Sequence, residues 1–291
     1  MRHDWRRRNG FSFPWNGMQI TSWIVLTVLA AVCTLVSLPL PTSPLISFFL
    51  LFCLFWNVCC IIFTTLTDPG VGENVVPVPF DRAKHNHVIE DNFCNICQIT
   101  VSVGTKHCKH CNKCIPKFDH HCKWLNNCIG KKNYKAFLVL VISLVLYSLI
   151  SIAVFIWALG IFIANTGKTE SKPDSFSDEY MFLDIWNWFI MCILVIICQG
   201  VLCGSTVHLL SFHVMLWCNK MTTFSYIVQQ RQKKRIDSSQ SDEQTTQTMS
   251  HKSNIFMSTR IRNGRTIGDS SLPSPAKANG QSETGDDEPN V

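Results

Sequence analysis

The chain has 291 residues, a formal net charge of +6 and only 16% charged residues, against about 25% in an ordinary soluble domain. Its apolar residues are gathered into long blocks, which argues against a conventional soluble protein, and so modest a positive balance is weak support for nucleic-acid binding. Fifteen cysteines need their own explanation.

Residues 1–19 carry Arg2, Arg6, Arg7 and Arg8. Two apolar blocks follow within 20–66, roughly Ile20–Leu38 and Leu45–Leu66, separated by Pro39, Pro41 and Pro44. Two more fall within 136–217, roughly Ala136–Ala164 and Met181–Trp217. Each reaches the ~20 residues that a helix needs to cross ~30 Å of hydrocarbon. Continuous runs of this kind suit helices, which satisfy their backbone internally. Block one is too long and starts too late for a cleaved signal peptide, and it has no clear small-residue cleavage site. Asp184 would be costly deep in lipid, so the fourth span is expected to start after it or to turn it toward other helices.

Lysine and arginine set the expected orientation. The N-terminal segment, the stretch from Arg82 to Lys135 with its ten Lys or Arg, and the segment after block four with Lys220, Arg231, Lys233, Lys234 and Arg235 are the basic ones. Four spans place all three on one side, so both termini and the central loop are expected in the cytosol. From about residue 237 the tail is rich in Ser, Thr, Gln, Asn and Gly. It offers little burial to offset ordering entropy and is expected to be disordered.

The segment 67–135 holds the chemistry. Cys94, Cys97, His107, Cys108, His110, Cys111, Cys114, His120, His121, Cys122 and Cys128 crowd together. Cys-x-x-Cys spacing mixed with His, in a reducing compartment, argues for metal rather than disulfides. Structural zinc takes four Cys or His ligands, so two sites use eight of these eleven residues. Neighbours such as His107 and Cys108 point apart, which favours two interleaved sites over two separate fingers. A thiolate shielded by zinc is a weak nucleophile, so a reactive cysteine should lie off the metal and beside a base. Cys122 has His120 two residues before it and Asp119 before that, an acid–imidazole–thiol series. Spacing alone leaves open the alternative that all of them serve metal.

The run FDHHCKWLNNCIGKKNYKAF, preceded by CNIC and KHCKHCNKC, resembles the Asp-His-His-Cys (DHHC) protein S-acyltransferases. Asp68-Pro69-Gly70 and Thr222-Thr223 are further marks of that family, and RRNGFSFPWNGMQI is similar to one vertebrate subgroup. The resemblance covers about residues 10 to 230. It implies an α-helical polytopic membrane protein, with four transmembrane helices and a cytosolic cysteine-rich two-zinc domain between helices two and three. One structural zinc would take Cys94, Cys97, His107 and Cys114; the other would take Cys108, Cys111, His121 and Cys128. Cys122, His120 and Asp119 would then be catalytic, and His110 an exposed loop residue.

The implied activity is transfer of palmitate from palmitoyl-CoA, through an acyl-cysteine, to cysteines of membrane-proximal cytosolic proteins. The implied partners are therefore membrane lipids, the acyl donor and those substrate proteins, with no nucleic acid. The endoplasmic reticulum or Golgi is expected ahead of endosome or plasma membrane, on the resemblance alone. Three departures stand out. Val103-Gly104 replaces an expected proline before the first His-Cys pair, which is expected to loosen the strand there; Lys123 follows the reactive cysteine where proline is common; and Ser225 replaces a glutamate after Thr222-Thr223. The missing proline and the altered motif at Thr222-Thr223 motivate an alternative, a membrane adaptor that keeps the zinc fold with little activity.

Overall fold

The computed structural model describes residues 5–40, 43–72, 74–166 and 184–241. Residues up to Phe224 form one compact unit. From Ser225 a second unit begins, whose described part, 225–241, is helical. The expected disorder of the tail after about residue 237 falls mostly outside the described residues.

The apolar blocks are four helices: α1 (Gly17–Ser37), α2 (Ser43–Leu66), α3 (Tyr134–Thr166) and α4 (Ile185–Cys218). All four are long and apolar enough to cross a bilayer, and the chain is a multi-pass membrane protein. Their starts follow from local chemistry. Asn16 caps α1 by accepting from the Met18 N–H at 2.9 Å. Asp184 caps α4 by accepting from the Trp186 N–H at 3.2 Å, so the acid stands at the head of the span rather than within it. Large side chains such as Phe48, Phe52 and Phe55 of α2 are exposed, as a surface facing hydrocarbon requires. Away from the zinc domain, a core of Cys33, Val36, Phe155, Phe162 and Trp188 joins α1, α3 and α4. The Trp188 indole donates to the Val36 carbonyl at 2.9 Å, which satisfies its one polar atom where no water is at hand.

Between α2 and α3 lie seven short strands: β1 (Ile89–Glu90), β2 (Phe93–Cys94), β3 (Ile99–Thr100), β4 (Lys106–Cys108), β5 (Lys113–Ile115), β6 (His120–Cys122) and β7 (Asn127–Ile129). They form a three-stranded sheet, β1-β2-β3, and two hairpins, β4-β5 and β6-β7. Gln98, Asn112 and Asn126 take positive φ at the turns; asparagine tolerates that conformation better than most residues. Gly104, in the stretch that lacks the expected proline, has φ +80°. There Thr105 N–H donates to the Ser102 carbonyl at 3.1 Å, closing a turn directly before β4.

This domain is fixed to the helices by side chains. Asn127 of β7 donates to the carbonyls of Thr64, Thr65 and Thr67 at 3.2, 3.2 and 2.8 Å. One amide thus takes up carbonyls that the end of α2 leaves without intrahelical partners. Lys113, fully buried, donates to Asp68 at 2.6 Å. Gly130 joins β7 to α3, and a Cβ there would stand 2.5 Å from Ile115 Cγ2 and 3.0 Å from the Pro116 carbonyl oxygen. Since α3 has 33 residues, its ~1.5 Å rise per residue gives about 50 Å. That exceeds the ~30 Å hydrocarbon core, and the surplus lets its first turns pack beside the β6-β7 hairpin.

Candidate metal centres and the active-site hairpin

Strand alternation sorts the cysteine-rich residues. Successive residues of a strand point to opposite faces, so His107 and Cys108 on β4 serve different neighbours. His107 stands opposite Cys114 in the β4-β5 ladder, and His121 stands opposite Cys128 in the β6-β7 ladder. Each hairpin thereby presents one His and one Cys as a cross-strand pair. Cys94 and Cys97 complete the first set, and Cys108 and Cys111 the second; in each set the four donor atoms lie within 4.8 Å of one another.

Both sets fit zinc. His107 Nδ1 lies 3.7, 3.4 and 3.8 Å from the sulfurs of Cys94, Cys97 and Cys114. His121 Nδ1 lies 3.9, 3.4 and 3.6 Å from those of Cys108, Cys111 and Cys128. Zinc bonds of ~2.3 Å to sulfur and ~2.1 Å to nitrogen give a tetrahedral S···N edge of about 3.6 Å. All six sulfurs are buried, and packed thiolates are costly without a cation between them. His110 is exposed and stacks on His121, with ring centroids 4.9 Å apart.

The same alternation on β6 turns His121 toward the second set and places His120 and Cys122 together on the other face. His120 pairs through Nδ1 with Asp119 Oδ2 at 2.7 Å, and Cys122 follows two residues on along the same face of the strand. Asp119 is buried and also accepts from Thr223, from its N–H at 2.9 Å and its hydroxyl at 2.8 Å. Burial alone would raise the Asp119 carboxyl; His120 and the two Thr223 donors outweigh it and hold the group below its ordinary value. Burial alone would likewise lower His120, but Asp119 and Cys122 raise it to about 9. Cys122 packs with Leu125, Ile129, Phe137, Leu140 and Val141, and Cys60 of α2 and Leu210 of α4 border that cluster. A thiol, an imidazole and a carboxylate therefore stand beside a packed apolar cluster that the helices border.

The comparisons with known proteins agree with this site. The DHHC palmitoyltransferase family matches residues 87–230. Palmitoyltransferase ZDHHC11 of Homo sapiens is 34% identical over 256 residues, which cover 77% of this chain and 60% of that protein. Palmitoyltransferase ZDHHC11 of Mus musculus is 31% identical over 255 residues, covering 79% and 73%. This chain belongs to the DHHC palmitoyltransferase family. Palmitoyltransferase ZDHHC1 of Homo sapiens is 34% identical over 248 residues, covering 77% and 51%. The aligned part is thus between 51% and 73% of the length of these three relatives.

Within this DHHC chain, Ser225 stands where the resemblance led to an expected glutamate, and Thr223 makes both bonds to Asp119. Phe224 packs edge-on against Phe118, with centroids 5.9 Å apart, directly before Asp119. Lys123 is exposed.

Two residues escaped the sequence reading. His213 of α4 is buried, and a ring nitrogen of it lies within 4.8 Å of an Asp119 carboxylate oxygen and a His120 ring nitrogen. Its Nδ1 pairs with the Tyr134 hydroxyl at 3.2 Å. The available signal was a histidine inside an apolar block, where polar side chains are expensive and need partners.

Proposed function

We propose that this chain is a protein S-acyltransferase that moves a long acyl group, palmitate above all, from acyl-CoA to cysteines of other proteins. The observation that carries the reading is Cys122 on the same face of β6 as His120, which pairs with Asp119, off both metal sets, while His121 between them belongs to the second set.

In the first step Cys122 reacts as the thiolate, with its proton held on His120, and the sulfur attacks the thioester carbonyl carbon. Asp119 holds the imidazolium and fixes its orientation. The bond from that carbon to the CoA sulfur breaks, and His120 returns the proton to the leaving CoA thiolate. In the second step a substrate cysteine gives its proton to His120 and attacks the acyl-Cys122 carbonyl. Cys122 then leaves as the thiolate, with that proton held on His120. The apolar cluster around Cys122 suits the acyl chain, whose burial contributes ~0.8 kcal/mol per methylene. Exposed Lys117, Lys123, Lys131 and Lys132 can meet CoA phosphates or anionic headgroups.

Cys94, Cys97, His107 and Cys114 would hold one zinc, and Cys108, Cys111, His121 and Cys128 the other. Four protein ligands close each site, so bound zinc supplies rigidity and charge compensation rather than an open coordination position. The distribution of Lys and Arg supports cytosolic termini and a cytosolic zinc domain, and the family resemblance supports the endoplasmic reticulum or Golgi. Substrates would be proteins whose cysteines lie near the cytosolic membrane surface.

The test is incubation of purified protein with labelled palmitoyl-CoA, followed by neutral hydroxylamine. Wild type should carry hydroxylamine-sensitive label that Cys122→Ser loses. Unlabelled wild type, or an equally labelled Cys122→Ser, would point instead to an adaptor that keeps the fold without the activity.

A further inference from the structure

The arginine-rich N-terminal stretch has a structural job that a topology signal does not require. Of the described Arg6, Arg7 and Arg8, only Arg8 is exposed. Residues 5–16 lie as a strap across four parts of the protein. The Trp5 carbonyl accepts from Asn112 at 2.8 Å, beside Cys111. Arg6 donates to the carbonyls of Val71 and Gly72 and stands 3.8 Å from Asp68, just beyond α2. The Arg8 carbonyl accepts from buried Lys113 at 3.3 Å. Gly10 donates to the Thr65 carbonyl at 2.8 Å. Its own carbonyl accepts from Gln19 of α1 at 2.9 Å and from Asn126 of the β6-β7 turn at 3.3 Å. A Cβ on Gly10 would stand 2.1 Å from the Leu125 carbonyl oxygen, so no larger residue fits without moving that turn.

Arg7 is the centre of the strap. Its N–H donates to the Cys111 carbonyl at 3.0 Å. Its side chain is 4% exposed and donates to the carbonyls of Ser12 and Pro14, folding the strap on itself. Its Nε has no hydrogen-bond partner among the described residues. A buried guanidinium needs a counter-charge, and no carboxylate pairs with Arg7 among the described residues. The strap bonds at Cys111; burial lowers the guanidinium, and Cys111, Cys128 and Cys108, all members of the second donor set, act against that lowering. Three thiolates, a neutral imidazole and a divalent ion sum to one negative charge, which one guanidinium cancels.

We propose that Arg7 is a positioning residue of the second zinc centre, neutralising its thiolates, and that the strap of residues 5–16 thereby holds the β6-β7 hairpin, with Cys122, against the ends of α1 and α2. This rests on the reading of the donor sets as zinc centres. Groups that support a metal's ligands typically alter its affinity by ~10–100-fold.

The experiment measures zinc release from full-length protein in detergent, using a chromogenic chelator, in wild type, Arg7→Met, Arg7→Lys and Arg6→Met. Wild type should contain two zinc per chain. In Arg7→Met one of the two should leave about tenfold faster or more, while the other keeps its wild-type rate. Arg7→Lys, which keeps the charge, should recover most of the difference. Arg6→Met, which removes a charge from the same strap away from the second set, should leave both rates unchanged. Identical kinetics in Arg7→Met and wild type would overturn the proposal. So would equal acceleration of both zincs, or an Arg6→Met effect as large as that of Arg7→Met. Should Arg7→Met fail to fold, Arg7→Lys and Arg7→Gln carry the same comparison, with Gln faster than Lys as the required order. Wild type without zinc would instead defeat the metal reading itself, a result separable from any of these.

Discussion

Burial by itself would raise the Asp119 carboxyl; Thr223 and His120 outweigh it by supplying three hydrogen bonds to its two oxygens. The carboxylate in turn raises His120 to about 9, together with Cys122. The sign of the pH dependence follows. A histidine raised in the folded protein stabilises it fully below its ordinary ~6.5, and that contribution is lost as pH rises through about 9. The same protonated imidazole must reprotonate the departing CoA thiolate, so acyl-enzyme formation should fall on its alkaline limb near pH 9. Asp119→Asn removes the charge that holds the proton, and its alkaline limb should move to lower pH, with a rate at neutral pH reduced by ~10²-fold or more. An unmoved limb in the variant would show that Asp119 does not set the His120 proton. His213→Ala should lower the rate of acyl-enzyme formation without loss of zinc, because His213 and Tyr134 pack behind His120 rather than against either donor set. Parallel measurement of label and metal checks it.

Among the elements, the β6-β7 hairpin carries the most. Its β6 residues alternate between the imidazole paired with Asp119, a member of the second donor set and the Cys122 thiol, and Asn127 of β7 holds the end of α2. Asn127→Ala removes the amide donor of the Thr64 and Thr67 carbonyls, while Thr65 keeps Gly10, a loss of about 1–3 kcal/mol. It should lower the melting temperature of the detergent-solubilised protein and weaken acylation together. A variant as stable as wild type would mean that other groups cap α2. Much of this hairpin is legible in the sequence, because strand alternation gives DHHC opposite faces for neighbouring residues and eleven candidates exceed eight places. The division of the donors into two sets is not fixed by spacing; it follows from register, which pairs His107 with Cys114 and His121 with Cys128. The strap is hidden for a different reason. Four of the acceptors that define it are backbone carbonyls, of Trp5, Arg8, Gly10 and Pro14, and carbonyls leave no mark in residue type.

At the scale of the whole molecule, helix length and hydropathy are enough to read the four spans, whereas the way the zinc domain seats on them is not. That seating runs through Asn127 and through Lys113 with Asp68, single residues whose partners lie far away in the chain. It also explains why metal should govern activity from a distance. Chelation that removes both zincs should abolish acyl-enzyme formation while the four helices keep their helical circular dichroism, since apolar spans in detergent do not need the hairpins to remain helical. Loss of helicity in parallel with zinc would contradict that separation. The central claim is that two closed metal centres take eight donors and leave Cys122 free to react. Peptide-resolved mass spectrometry after brief exposure to palmitoyl-CoA, with zinc counted in the same sample, tests it most directly. The account predicts a hydroxylamine-labile acyl group on Cys122 in protein that retains two zincs. An acyl group on Cys108, Cys111 or Cys128, or acylation that requires loss of zinc, would contradict it.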